Sequence, residues 1–301
     1  MKLNILLFFF ISIIYSCTEN NLKPIDKVIK EKSKIYKVKK HKNFNQYWYD
    51  GNAEITSYKL SQVRYGEIHE GRAVTIFVTE DFLPEKQVKA DYQNEKNIPV
   101  LKLNSTKKFL TGVYPYSLMT STFSPVDNDI HPLKITFSSQ EWCGNTFMQL
   151  NNRKNFEIDF YSYFESNSDK KLSLEKNVLE NSFWNLARIN PYQIKKGRYK
   201  IIPSFEFLAL NHKKIKPYDA EVNLLKQDNL LNLTIYYPEL KRKLILNLTE
   251  DFPFTIESWE EHMVRGEKKL VTKAEKIEKI KVKYWNKNSN KDKIIREKLR
   301  I

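Results

Sequence analysis

Glycine is scarce. Seven are spread over 301 residues, at positions 51, 66, 71, 112, 144, 197 and 266. None falls into G-x-G-x-x-G or G-x-x-x-x-G-K-[ST], so loops that cradle a nucleotide phosphate are excluded. Cysteine is scarcer. Only Cys17 and Cys143 occur, so the chain beyond the first seventeen residues holds one thiol, cannot close an internal disulfide, and must rest on an apolar core. Metal-ligand spacings are missing as well: there is no H-E-x-x-H and no Cys/His ladder, and Glu260-Glu261-His262 reads as a surface charge run. No serine stands in G-x-S-x-G, and no fixed-period repeat occurs. Neither a catalytic set nor a cofactor site emerges from these patterns.

The longest apolar run is short. It spans Ile5 to Ile14, after a single Lys2 and before Tyr15-Ser16-Cys17. Ten residues extend about 15 Å as a helix, half of a bilayer's hydrocarbon core, so the run is too short to span. A charged start, an apolar stretch and a small residue before the break predict an export signal over residues 1–16. Cys17, directly after Ser16, gives that signal the form of a bacterial lipoprotein signal, in which the cysteine becomes the acylated N-terminus. Acylation anchors a protein by hydrocarbon burial, about 0.8 kcal/mol per methylene. Thr18 is not the aspartate that retains some lipoproteins in the inner membrane, so the outer membrane is the expected destination, with the body facing the periplasm or the cell surface.

The formal charge of +15 is carried by the ends. Residues 18–42 hold nine lysines against three acids, and residues 265–301 hold fourteen Lys/Arg against five. The intervening body has 27 bases and 28 acids. A basic stretch beside a lipid anchor suits anionic headgroups, at about 1 kcal/mol per nearby Lys or Arg. It equally suits a solvated tether in a lysine-rich chain. Outside the cytoplasm, nucleic acid is not an expected partner.

The body alternates as strands do. "AEITSYKLSQVRYGEI" and "RAVTIFVTEDFL" flank His69-Glu70-Gly71, which predicts a hairpin turn there. "IPVLKLNSTKKFL", "YPYSLMTSTFS", "HPLKITFSSQEW", "NTFMQLN" and "NFEIDFYSYF" follow, and six further candidates run to Trp285. Turn residues recur at meander spacing rather than βαβ spacing. One segment differs. "SLEKNVLENSFWNLARINP" has apolar residues at 174, 178, 179, 183, 186 and 187, which predicts a helix over 174–188, capped by Ser173 and ended by Asn190-Pro191. The fold class is therefore mainly β: a large curved antiparallel sheet or half-open barrel with one principal helix. The expected organisation is a signal over 1–16, a basic tether over 17–46, a single β-rich domain over 47–285, and a basic tail over 286–301.

The one thiol of the body lies in "SSQEWCGNTF". A thioredoxin-like site needs Trp-Cys-Gly-x-x-Cys, and no second cysteine follows. A papain-like nucleophile needs a helix start after it, and "NTFMQLN" alternates like a strand. Cys143 is thus expected to be a packed thiol. Glu141 shares a strand face with Ile135 and Phe137, and the neighbouring strands are rich in Ser and Thr. Gln140, Glu141, Trp142, Cys143 and Gln149 form the candidate ligand pocket, with an ordinary solvent-facing sheet as the plainer reading.

The blocks "YWYDGNAEITSYKLSQVRYGEIHEGRAVTIFVTEDFLPEKQVKAD", "TGVYPYSLMTSTFSPV" and "SSQEWCGNTFMQLN" resemble a family of flavobacterial lipoproteins of unknown mechanism, often labelled "septum formation inhibitor Maf". The similarity covers most of residues 47–260. It implies a lipid-anchored envelope protein. It carries no catalytic residues, because the Ser-x-Ser-Pro-Arg-type phosphate site of Maf nucleotide pyrophosphatases is absent. The expected function is a non-catalytic binding or envelope-maintenance module offering a concave sheet face to an apolar or amphiphilic ligand. The alternatives are a cell-envelope hydrolase using Glu141, with or without Cys143, which a cleft bringing His131 or His212 against Cys143 would favour, and a structural subunit of an outer-membrane complex.

Overall fold

The structure is a computed structural model that describes residues 38–127 and 131–301. The expected signal over 1–16, Cys17 and the expected tether up to residue 37 lie outside the described residues. Among the described residues no helix is long and apolar enough to cross a membrane.

Sixteen strands form one sheet. In chain order they are β1 (Ala53–Arg64), β2 (Glu67–Leu83), β3 (Val88–Lys89), β4 (Ile98–Thr111), β5 (Tyr114–Pro125), β6 (Lys134–Glu141), β7 (Gly144–Asn152), β8 (Phe156–Ser162), β9 (Lys170–Leu174), β10 (Val178–Leu179), β11 (Gly197–Ile202), β12 (Tyr218–Gln227), β13 (Leu230–Tyr237), β14 (Arg242–Thr249), β15 (Ile256–Arg265) and β16 (Lys268–Val282). Strand occupies 55% of the described residues and helix 15%, as the meander spacing predicts. Apart from the two-residue parallel ladder of β10 with β11, all pairing is antiparallel. β16 returns to pair with β1, so the two halves of the chain meet in the middle of the sheet. The outer strands are then β9 and β10, neighbours in sequence that do not pair, and the sheet stays open as a barrel would not.

Two-residue loops set the register. Arg64 pairs with Glu67 across Tyr65-Gly66, both at positive φ, the backbone a tight hairpin needs. The hairpin turn therefore falls at 65–66 and not at His69-Glu70-Gly71. Gly71 instead lies inside β2, opposite Phe109, where a Cβ would come 2.3 Å from the Lys108 carbonyl oxygen. Its lack of a side chain serves a close strand approach, which looks the same as a turn signal in sequence.

The helices are α1 (Phe44–Trp48), α2 (Glu180–Ile189), α3 (Phe205–Leu210) and α4 (Ile294–Leu299). The principal helix, α2, begins six residues later than predicted. Leu172 and Leu174 alternate inward in β9, with Ser173 between them paired to Glu157, and Val178-Leu179 pair with β11, so those leucines and the valine satisfy a two-residue period as well as a helical one. The helix ends where Asn190-Pro191 predicts. Every α2 residue except Trp184 is buried. It is enclosed by the sheet, touching β4 through Asn185 Nδ2 and the Leu101 carbonyl at 2.6 Å, β1 through Arg188, and β14 through Glu180. One core cluster, including Phe44, Trp48, Tyr58, Phe77, Phe137 and Trp259, joins both halves.

Both ends of the packed body extend beyond the expected limits. Val38 and Phe44 are buried in the core, so the packed body takes in residues 38–46, which were expected to belong to the tether. The tail over 286–301 is folded too. Ser289 and Asp292 form a capping box, α4 follows, Leu299 is 2% exposed, and Arg72 Nε donates to the Arg300 carbonyl at 3.2 Å. Apolar residues at 295, 299 and 301 are enough to dock a segment whose charge density suggests solvent.

Candidate functional site

The residues singled out around Cys143 do not converge. Ile135, Phe137 and Ser139 face inward and are buried, as alternation predicts, and Glu141 ends that face at the wet margin. Gln140 and Gln149 lie on the outer face, opposite Asn145 and Thr136 respectively. Trp142 and Cys143 form the two-residue turn between β6 and β7, with Trp142 69% exposed. None of the five lines either cavity described below.

Cys143 itself is exposed and not packed. A strand that ends at Glu141 leaves the thiol in the turn, one step past the buried face. Glu141 Oε2 accepts from the Cys143 backbone N–H at 2.7 Å. The hydrogen bond from the thiol to the same carboxylate, followed by burial and the carboxylate's charge, pushes the thiol above its ordinary value. His131 precedes β6 and Cys143 follows it, so the whole eight-residue strand, about 26 Å, separates them. His212 is engaged elsewhere, against the Phe164 ring and 3.5 Å from Ser166 Oγ. Among the described residues neither His131 nor His212 is brought against Cys143.

Inside the sheet, polar groups gather at both ends of α2. Arg188 Nη1 and Nη2 donate to the two Glu54 carboxylate oxygens at 2.6 and 2.8 Å, and Tyr47 donates to Glu54 at 2.5 Å. Burial alone would raise the Glu54 carboxyl; the Arg188 guanidinium overrides it and holds the group below the usual carboxylate range. At the other end Glu180 receives both terminal nitrogens of Arg242 and the Tyr237 hydroxyl, and Arg242 Nε reaches Glu261 at 2.5 Å. Glu180 is likewise held low, with burial opposing and Arg242 prevailing. Sequence reasoning missed all of these residues, since 134 and 62 positions separate the partners.

Beside Glu180 lies a small chamber of about 50 Å³. Lys107 donates to Glu206 at 2.6 Å, and Trp184 and Trp259 meet edge to face with ring centres 5.2 Å apart. Thr122 Oγ1 and Asn181 Oδ1 line it without a hydrogen-bond partner among the described residues. Its size suits a few waters rather than a ligand. Its cations face carboxylates at hydrogen-bond distance, so it is a compensated polar core. The sheet face that carries α2 is thus filled, among the described residues, by α2, α3 and this cluster.

The larger space is on the opposite surface. Between the outer face of β1, β2, β4 and β5 and the segment from Tyr284 to Ile301 lies a mainly apolar cavity of about 830 Å³. Val74 and Ile76 of β2, Leu110 and Pro115 near the β4–β5 turn, and Ile295 and Leu299 of α4 supply its apolar surface. Arg72, Lys108, Lys287 and Arg296 stand along it, with Glu70 and Asp292. This volume falls within the range of small-molecule sites. Among the described residues no cluster of three His, Cys, Asp or Glu could hold a metal ion.

No family model, curated protein or solved structure matches the chain.

Proposed function

We propose that this is a lipid-anchored cell-envelope lipoprotein whose body is a non-catalytic binding module for an apolar or amphiphilic molecule, held between the sheet and the C-terminal segment. The observation that carries the reading is the 830 Å³ cavity with its apolar lining. The anchor rests on the apolar run that ends at Ser16-Cys17, and on the resemblance of three sequence blocks to flavobacterial lipoproteins. The outer membrane is the proposed location, with the basic ends available to anionic headgroups.

Titration of the purified full chain with a fluorescent sixteen-carbon acyl probe tests the module. Saturation at one probe per protein is expected, with loss of binding in Val74→Trp, which fills the cavity. Absence of saturable binding in the folded parent overturns the reading. Replacing Cys17 with Ala tests the anchor separately: the protein should leave the membrane fraction or persist as an uncleaved precursor, and unchanged mass and fractionation would refute acylation.

A second reading, a structural subunit of an envelope complex, draws on the hairpin tips at one end of the sheet. Tyr65, Val113, Trp142 and Tyr163 are each more than half exposed at neighbouring turns. In-cell cross-linking from residue 142 would capture a constant partner under this reading and none under the first.

A further inference from the structure

We infer that the ligand of the outer cavity is a single-chain amphiphile with an anionic head, its head held by Arg72, Lys108 and Arg296. This rests on the proposed binding role and adds the chemistry of what is bound.

The first observation is a pairing that the sheet alone does not favour. Arg72 of β2 and Lys108 of β4 are directly opposite in the ladder, two cations side by side on one face. Like charges in that position repel, whereas a shared anion turns the pair into a clamp. Lys59 of β1 faces Arg72 from the other side, but Lys59 is itself opposite Glu275. The next neighbour of Lys108 is Ser117 of β5, so no carboxylate relieves the Arg72–Lys108 pair along the row.

The second observation is that these cations keep donors to spare. Arg72 spends Nε on the Arg300 carbonyl and Nη1 on the Gly71 carbonyl, both uncharged acceptors. Lys108 and Arg296 have no carboxylate partner among the described residues. Lys287 differs, lying 3.9 Å from Asp292. Of the two acidic side chains in the lining, Asp292 is bound to Ser289, and Glu70 makes no ion pair among the described residues, beside three cations that have no carboxylate side-chain partner there.

The third observation is what lies beside the cations. The space they border is lined mainly by apolar side chains, Val74, Ile76, Ile295 and Leu299 among them. A small inorganic anion has no use for that surface. An acyl chain is stabilised by each methylene it buries there. A cationic row next to an apolar cavity therefore matches a carboxylate or phosphate on one hydrocarbon chain. Free fatty acids and monoacyl phosphates share that chemistry.

The test uses the full chain in nonionic detergent, with competition against a fluorescent sixteen-carbon carboxylate. Competitors are palmitate, a monoacyl glycerol phosphate, hexadecanol, octanoate and inorganic phosphate. Palmitate or the monoacyl phosphate should displace the probe at least ten-fold better than hexadecanol, and whichever is tighter identifies the source. Octanoate and inorganic phosphate should be weaker than either. Lys108→Glu and Arg296→Glu should weaken the anionic competitors about ten-fold and leave hexadecanol unchanged; Lys108→Gln serves if the charge reversals lower the melting temperature. Hexadecanol binding as tightly as palmitate overturns the anionic head and leaves the binding module standing. Octanoate or phosphate binding as tightly as palmitate overturns the chain in the cavity. If no amphiphile displaces the probe, or the probe fails to bind, the binding role itself falls.

Discussion

Arg188, next to last in α2, meets Glu54 of β1 through two parallel hydrogen bonds of 2.6 and 2.8 Å, with both side chains almost wholly buried. The guanidinium also donates to the Pro253 carbonyl at 3.0 Å and lies over the rings of Trp48 and Phe77. Planar, delocalised and weakly hydrated, arginine suits such a place where lysine would not. The helix is pinned at its C-terminal end to the strand where the two halves of the sheet join, and Glu180–Arg242 pins its other end to β14. The two pairs fix α2 in rotation and in position along the sheet, which apolar packing alone would fix less sharply.

Removing one partner of a buried pair leaves an uncompensated charge. Arg188→Met should cost about 3–5 kcal/mol in urea unfolding. The double variant Arg188→Met with Glu54→Leu should recover much of that loss, because neither charge then needs a partner. A double variant as unstable as the single one would mean that Arg188 acts mainly through Pro253 and its ring contacts.

These pairs also predict an acid limb. Glu54 and Glu180 both have their carboxyls held below the ordinary value in the folded state. Their stabilisation is therefore fully present above about pH 4.5, the unfolded carboxyl range, and is lost as pH falls through the lower folded values. The melting temperature should drop steeply below about pH 4.5. Glu54→Gln should start lower at pH 7 and fall less over the same acid interval, and a parallel fall would show that other groups govern the limb.

Some of this architecture is legible in the sequence. The alternating runs separated at meander spacing give the strands, and the pattern at 183, 186 and 187 gives the body of α2. What escapes is set by distant partners. Gly71 reads as a turn because its need for space comes from the Lys108 backbone, 37 positions away. The apolar residues of 286–301 are too few to mark a docked segment until Val74 and Ile76 are seen beneath them. The cavity belongs to no local motif, since it forms between the middle of the chain and its last helix. Cys143 escapes for a different reason: free cysteines are usually buried, but β6 ends at Glu141 and leaves this thiol in an exposed turn.

Gly71→Ala tests the close approach of β2 and β4. The added methyl would meet the Lys108 carbonyl at 2.3 Å and Phe109 Cβ at 2.8 Å, both parts of a sheet that cannot yield locally. A loss of about 1–3 kcal/mol is expected from this overpacking. The equivalent Gly66→Ala strains a positive φ but meets no atom, so urea titration should rank it as milder.

Truncating residues 287–301 should lower the melting temperature by roughly 3–10 °C, the effect of losing one buried leucine and its neighbours in a protein of this size. It should also open the outer cavity to solvent, which raises the binding of a hydrophobic dye. An unchanged melting temperature would mean that the segment rests on the sheet without stabilising it.

Cys143 allows the simplest measurement. The thiol is exposed, so a bulky maleimide should label it fully without denaturant, whereas a packed thiol would resist until unfolding. Exposure does not make it reactive, because the thiolate is the nucleophile and the neighbouring Glu141 carboxylate disfavours it. The labelling rate at pH 7 should therefore be below that of an unstructured cysteine peptide, and should climb towards it as pH rises. Glu141→Gln removes the opposing charge and should speed labelling at pH 7. Since the thiol takes part in no core packing, Cys143→Ala should leave the urea midpoint unchanged, as for most surface substitutions. Labelling that required denaturant, or a rate unmoved by Glu141→Gln, would refute the turn geometry in which this carboxylate faces this thiol.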